Sequence, residues 1–364
     1  MDKRTFLKTI GAVAAGVTFT GNQLLAGNTG PRHGKSSGNQ LWLWIGGKSD
    51  WTDEQIKDAF AKIKEYGFDG VCSNGDLGYF KRLAPVTKSL GLQLHAWYVT
   101  MNHPGDKEAQ KHPEWYQVSR EGYSCLEKRP YVDYYQWLCP SQEAVYNYIE
   151  GDVLARAAID GVDAVHLDYI RYPDVILPIG LQPKYNLVQD HEFPEYDFCY
   201  CDTCKQKFRE EYGQDLDKME DPTKSKDWRQ FRYDRITRLV NRLTERVHHQ
   251  GKKISAAVFP YPDLARTICR QSWDDWNLDM FFPMIYNNFY NEDARWVGKA
   301  TRKGVRDLKG KAELISGLFL PAFKTDAEME SAIHFAKKNG AAGIAIFDYN
   351  GMKENHWNLL KTLS

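Results

Sequence analysis

Short apolar runs alternate with helical patterns along most of the chain, and this alternation narrows the fold more than any other feature. The runs fall at residues 41–45, 68–72, 92–99, 164–167, 254–259, 280–286, 314–318 and 343–347. Thr52-Asp53-Glu54-Gln55 opens a helix whose apolar face includes Ala59, Ile63 and Tyr66. Further helical patterns cover 79–90, 205–212, 228–250 and 327–339, and 151–159 completes another. Eight strands, mostly followed by helices, predict an α/β fold whose parallel sheet closes into a (β/α)8 TIM barrel. An open doubly wound sheet competes, but no glycine-rich phosphate loop follows the first strand. The connections after strands three and four, 100–140 and 171–227, are long. Long segments after barrel strands build the active face.

The fourth run ends on a carboxylate. Gly161-Val162-Asp163-Ala164-Val165-His166-Leu167-Asp168-Tyr169-Ile170-Arg171-Tyr172-Pro173 reads as a buried strand opening into an aromatic, basic loop. Period two puts His166 and Asp168 on one side of it. A carboxylate at the C-terminal end of an inner barrel strand sits where the chemistry is done.

The N-terminus reads as a targeting segment. Lys3, Arg4 and Lys8 precede an uncharged stretch, 9–26, ending in small residues. Residues 1–26 are therefore expected to be an export signal, too short and glycine-rich for a membrane anchor. Asp2-Lys3-Arg4-Thr5-Phe6-Leu7-Lys8 resembles the twin-arginine motif, with Lys3 in the first arginine's place, so twin-arginine and general secretory routes both stay open. No cysteine precedes Cys72, which excludes a lipid-modified cysteine near the cleavage point. Residues 27–40 suit a flexible leader, and 41–364 a single barrel domain in the periplasm or outside the cell. The 48 basic and 48 acidic residues cancel, so charge points neither to nucleic acid nor to an acidic membrane surface. The 11 Trp and 21 Tyr suit a site that stacks on sugar rings.

Several stretches together resemble the glycosyl-hydrolase-like barrels related to family 10, a group of secreted bacterial proteins. They are Leu94-His95-Ala96-Trp97, His112-Pro113-Glu114-Trp115, Trp137-Leu138-Cys139-Pro140 with Val145 and Tyr148, and Val165-His166-Leu167-Asp168-Tyr169. Trp228-Arg229 with Val240, and Asp279-Met280-Phe281-Phe282-Pro283-Met284-Ile285-Tyr286, complete the set. Cys139 stands where that group more often has Asn or Asp. Tyr169 stands where it often has a second aspartate, so the resemblance carries over Asp168 without a partner. Tyr169-Ile170-Arg171-Tyr172-Pro173 also resembles a strand end in neighbouring glycosidase-like barrels. The resemblance implies a barrel that cleaves O-glycosidic bonds of a polysaccharide or glycan.

That chemistry normally uses two carboxyl groups, one protonating the leaving oxygen and the other attacking the sugar or activating water. Asp168 is the first, as nucleophile or base, with Arg171 and His166 expected to keep it ionised. Asp348, closing Ile344-Ala345-Ile346-Phe347, is the preferred second. Asp76 and the loop acids Glu192, Glu195 and Asp197 are further candidates, each with a capping or solvated role as the plainer reading. Asp279 begins its strand and belongs to the opposite end. His95, Trp97, His166, Arg171, Tyr286 and Asn287 are expected to touch substrate, with core packing the rival reading for His95 and Trp97.

Cys199, Cys201 and Cys204 crowd into six residues. Such spacing suits a structural zinc knuckle, with Cys125, Cys139 or His191 as fourth ligand. In an exported protein it suits a disulfide equally well. No other cofactor is required by the motifs. A carbohydrate-binding barrel without catalysis is the main functional rival. A metal-dependent deacetylase or amidase ranks last, because its His-x-His or paired His/Asp ligands are missing.

Overall fold

The structure, a computed structural model, describes residues 39–363. The expected export signal and all of the leader except Asn39 and Gln40 lie outside the described residues.

Eight parallel strands form a closed barrel in chain order. They are β1 (Gln40–Ile45), β2 (Gly70–Asn74), β3 (Gln93–Val99), β4 (Ala164–Asp168), β5 (Lys253–Val258), β6 (Met280–Pro283), β7 (Glu313–Phe319) and β8 (Gly343–Phe347). β8 closes on β1, with Gly343 opposite Gln40. The α/β (β/α)8 expectation therefore holds. Strand six is shorter than expected. It stops at Pro283, and the chain bends into a 3₁₀ turn at Asn287–Tyr290, leaving Tyr286 beyond the strand.

Alternation along each strand builds two cores. On β1, Leu41, Leu43 and Ile45 face the surrounding helices, while Trp42 and Trp44 fill the barrel. On β4, Val165 and Leu167 face outward, leaving Ala164, His166 and Asp168 inward. Burying each large apolar side chain contributes roughly 1.5–3 kcal/mol. Two indoles inside one barrel require space opposite them. A Cβ on Gly70 would lie 2.4 Å from the Trp42 ring, and one on Gly317 would lie 2.9 Å from Trp44.

The helices are α1 (Asp53–Glu65), α2 (Leu77–Leu90), α3 (Glu143–Ala157), α4 (Asp202–Tyr212), α5 (Lys226–His248), α6 (Pro262–Cys269), α7 (Ala294–Leu308), α8 (Asp326–Lys338) and α9 (Glu354–Leu363). Local chemistry sets their ends. Thr52 and Gln55 form a reciprocal capping box on α1, with Asp53 and Glu54 in the first turn and Lys62 and Lys64 in the last. Asp76 caps α2 by accepting from the Tyr79 amide at 2.7 Å, which makes it a helix cap rather than a second catalytic carboxyl. Among the described residues no helix is long and apolar enough to cross a membrane.

Candidate active site

The C-terminal mouth of the barrel holds a cavity of about 510 Å³. Trp97 and Asp168, at the ends of β3 and β4, line it together with Tyr169, Arg171 and Asp174. The long loop after β3 supplies Tyr131, Tyr134 and Tyr135, and the later strand ends supply Phe259, Tyr286, Phe319 and Phe347. The walls are mostly aromatic. Asp168 and Asp174 are the carboxylates on them, and Arg171 and Lys184 the cations.

Asp168 is 8% exposed. Its Oδ2 accepts from Trp97 Nε1 at 3.0 Å, and its Oδ1 accepts from the Tyr169 amide at 2.7 Å. Tyr169 takes a left-handed backbone, φ 51°, which costs an ordinary L residue roughly 1–2 kcal/mol. That conformation accompanies the amide's contact with the preceding carboxylate. Burial raises the Asp168 carboxyl above its usual range, outweighing the Tyr169 amide, the Arg171 charge and the Trp97 indole. Asp168 therefore gives up its proton less readily than a solvated carboxyl does. Of the two residues expected to favour its ionised form, Arg171 and His166, the arginine does lower it but is outweighed by burial.

Both of those residues are occupied elsewhere. Arg171 donates to Asp174 Oδ2 at 3.1 Å and to the Tyr172 carbonyl at 2.9 Å, and its guanidinium packs on the rings of Trp137, Tyr169 and Phe259. Asp174 also accepts from Tyr135 OH at 3.1 Å. His166 is fully buried, and burial lowers its imidazole to about 3, so it is neutral beneath Asp168.

The histidines belong to the barrel core, and their assignment as substrate contacts is corrected. Trp44 Nε1 donates to His166 Nε2 at 3.2 Å, so His166 carries its proton on Nδ1 and donates to Ser255 Oγ at 2.9 Å. The Ser255 hydroxyl is then free to donate to His95 Nδ1, also 2.9 Å away. His95 Nε2 has no partner, and burial holds this ring well below its usual range as well. The sulfur of Cys72 and one nitrogen from each ring lie within 4.8 Å of one another, a spacing a metal could use. However, both His166 nitrogens and one of His95 are already committed to the Trp44–Ser255 relay.

Trp97 and Tyr286 face the cavity as expected. Tyr286 lies against Phe319, with ring centroids 5.2 Å apart. Its phenol is raised by burial and then by the charges of Asp168, Tyr169 and Asp348. Asn287 turns away: its amide donates to the Glu292 carbonyl at 2.9 Å, and it lies outside the cavity walls, so it is corrected too. Asp348 follows β8, the strand opposite β4 in an eight-membered ring. It sits outside the cavity lining and caps the turn Tyr349–Gly351, accepting from the Gly351 amide and from Asn350 Nδ2, both at 3.3 Å.

The loop acids are partly structural. Asp197 is fully buried, contacting Arg232, Tyr200 OH and Arg270, and Glu192 pairs with Arg270. Burial opposes ionisation of Asp197, yet Arg232 and Arg270 hold its carboxyl below its usual range. Glu195 lies within the 3₁₀ turn Pro194–Tyr196. Of the proposed fourth partners of the cysteine triplet, only Cys139 joins it. Cys125 bonds to the Trp137 backbone, and His191 is exposed beside Asp190. Sequence reasoning missed Asp174 and the tyrosine wall. The Arg171-Tyr172-Pro173-Asp174 spacing and the density of aromatics in Tyr131-Val132-Asp133-Tyr134-Tyr135-Gln136-Trp137 were the available signals.

No family model and no curated protein matches the chain. Solved glycoside hydrolase barrels do resemble it. The glycoside hydrolase domain of PgaB (BpsB) from Bordetella bronchiseptica superposes with a TM-score of 0.66 at 11% identity, over 89% of this chain and 98% of that one. The β-amylase catalytic domain from Paenibacillus polymyxa gives 0.57 at 14%, over 91% and 98%. A β-galactosidase from the psychrophilic Marinomonas ef1 gives 0.65 at 9%, over 89% of this chain and 58% of that one. At such identities the likeness defines a glycosidase-like fold.

Proposed function

We propose that the chain is an exported glycoside hydrolase, of the kind related to family 10, that cleaves a polysaccharide or glycan with Asp168 as its central catalytic carboxyl. The observation carrying this reading is a buried carboxyl at the end of β4, raised by its burial, on the wall of an aromatic cavity at the barrel mouth. A raised carboxyl suits the acid that protonates the leaving oxygen, a role the sequence had assigned to a partner. Asp348 is the proposed second carboxyl. Among the described residues its side chain bonds to turn groups, Asn350 and the Gly351 amide, and its charge acts on Tyr286 together with that of Asp168. Asp174 is tied to Arg171 and Tyr135 and orients the arginine. Trp97, Tyr286 and Arg171 contact the sugar. No cofactor takes part in the bond cleavage.

The competing reading is a carbohydrate-binding barrel without catalysis. It is favoured by Asp168 being, among the described residues, the one carboxylate on the cavity wall without a salt bridge. Incubating the protein, Asp168→Asn and Asp348→Asn with a panel of polysaccharides and cell-wall glycans separates the two. New reducing ends that both substitutions abolish, with folds intact by circular dichroism, support the hydrolase. Glycan binding by all three proteins without cleavage establishes the binding barrel instead.

A further inference from the structure

Four cysteines converge from the two loops that also supply cavity residues. Cys139 lies at the end of the β3–α3 connection. Cys199 and Cys201 lie at the end of the β4–α4 connection, and Cys204 is in the first turn of α4. Their sulfurs all fall within 4.8 Å of one another, and Cys139 Sγ is 3.5 Å from both Cys201 Sγ and Cys204 Sγ.

We propose that these four cysteines bind one structural zinc ion that fastens the two cavity-forming loops to each other. A tetrahedral site with Zn–S bonds of about 2.3 Å has sulfur–sulfur edges of about 3.8 Å, within the spread seen here. Disulfides would pair the sulfurs at about 2.05 Å and give no reason for all four to be mutual neighbours. The surroundings suit thiolates. Cys201 is the N-cap of α4, where the helix dipole favours negative charge, and the Val118 amide donates to Cys199 Sγ at 3.4 Å. Cys204 Sγ is 3.1 Å from Ser141 Oγ, whose hydroxyl turns donor once the thiol gives up its proton. All four cysteines are buried. Four thiolates fill the coordination of one zinc ion, so the ion would hold structure and activate no water.

The consequence reaches the cavity. Tyr131, Tyr134 and Tyr135 lie a few residues before Cys139, and the chain from Tyr169 to Tyr185 precedes Cys199. Without the metal, these two walls lose their covalent-strength tie. This inference does not depend on the hydrolase reading.

The test is metal analysis of the full chain purified under reducing conditions, with cobalt exchange and thiol counting. The expected result is about one zinc per chain, cobalt–thiolate absorption after exchange, and four thiols that react only after a chelator is added. Cys204→Ser should lose most of the zinc, while Cys125→Ser and Cys269→Ser should retain it. If Cys204→Ser does not fold, the cobalt spectrum of the wild type still decides. Failure of the reduced, folded protein to take up zinc or cobalt overturns the proposal. So does a mass showing two disulfides among the four cysteines in protein exported into an oxidising compartment and isolated without added reductant.

Discussion

Trp97 Nε1 donates to Asp168 Oδ2 across 3.0 Å, joining the end of β3 to the end of β4. The same indole lines the cavity, so one side chain offers an aromatic surface and restrains the carboxyl beside it. Its hydrogen bond stabilises the ionised form and lowers a carboxyl that burial has raised. In Trp97→Phe the aromatic surface largely remains and the donor is lost, so Asp168 should rise further. If Asp168 is the acid, the alkaline limb of kcat/KM against pH should move to higher pH. An unmoved limb would show that Asp168 does not set it.

Asp168→Asn should abolish cleavage and change how stability depends on pH. The folded carboxyl lies above its unfolded value, so ionisation costs stability as pH rises through the folded value, and the cost is complete above it. Asparagine avoids that cost, but its single acceptor oxygen leaves either the Trp97 indole or the Tyr169 amide unpaired, a loss that does not depend on pH. The Tm of the variant relative to the wild type should therefore be higher at pH 7 than below the ordinary carboxylate range. A Tm difference that stays constant between those two conditions would contradict the burial argument.

Ser255→Ala should weaken the barrel from inside. One hydroxyl satisfies Nδ1 of both His95 and His166, and all three residues are fully buried. Each ring nitrogen left unpaired costs roughly 1–3 kcal/mol. Urea unfolding should show a lower midpoint with an unchanged slope.

Asp197→Asn should loosen the loop after β4. Asp197 is fully buried and ion-paired with the fully buried Arg232, which also donates to the Phe198 carbonyl at 3.0 Å. Leaving that guanidinium uncompensated costs about 3–5 kcal/mol. The Asp197 carboxyl is depressed, so its contribution is present above the usual carboxylate range and is lost as pH falls through the folded value. Acid titration of the wild type should therefore release this loop, and the variant should lack that transition in hydrogen exchange.

The sequence reading succeeded where local pattern carries the information. Leu41-Trp42-Leu43-Trp44-Ile45 announces a strand with two different faces, and Thr52 with Gln55 announces a helix start, because both signals lie within a few neighbouring residues. It failed at Asn287 because a turn rotates the side chain after β6 ends, and a strand read three residues too long conceals that turn.

The chain alone determined eight strands, their order with the helices, and a carboxylate closing the fourth, since period two and strand ends are written in adjacent residues. Tertiary structure decided depth and partnership. Period two sends His95, Trp97, His166 and Asp168 inward alike. Only the register of β3 against β4, Trp97 opposite His166 and Val99 opposite Asp168, puts the histidines in the core and Asp168 at the mouth. Arg171 could have faced Asp168 but pairs with Asp174, and Cys139 completes a cluster sixty residues away. Such choices depend on which distant segments meet once the barrel closes, and no local spacing encodes them.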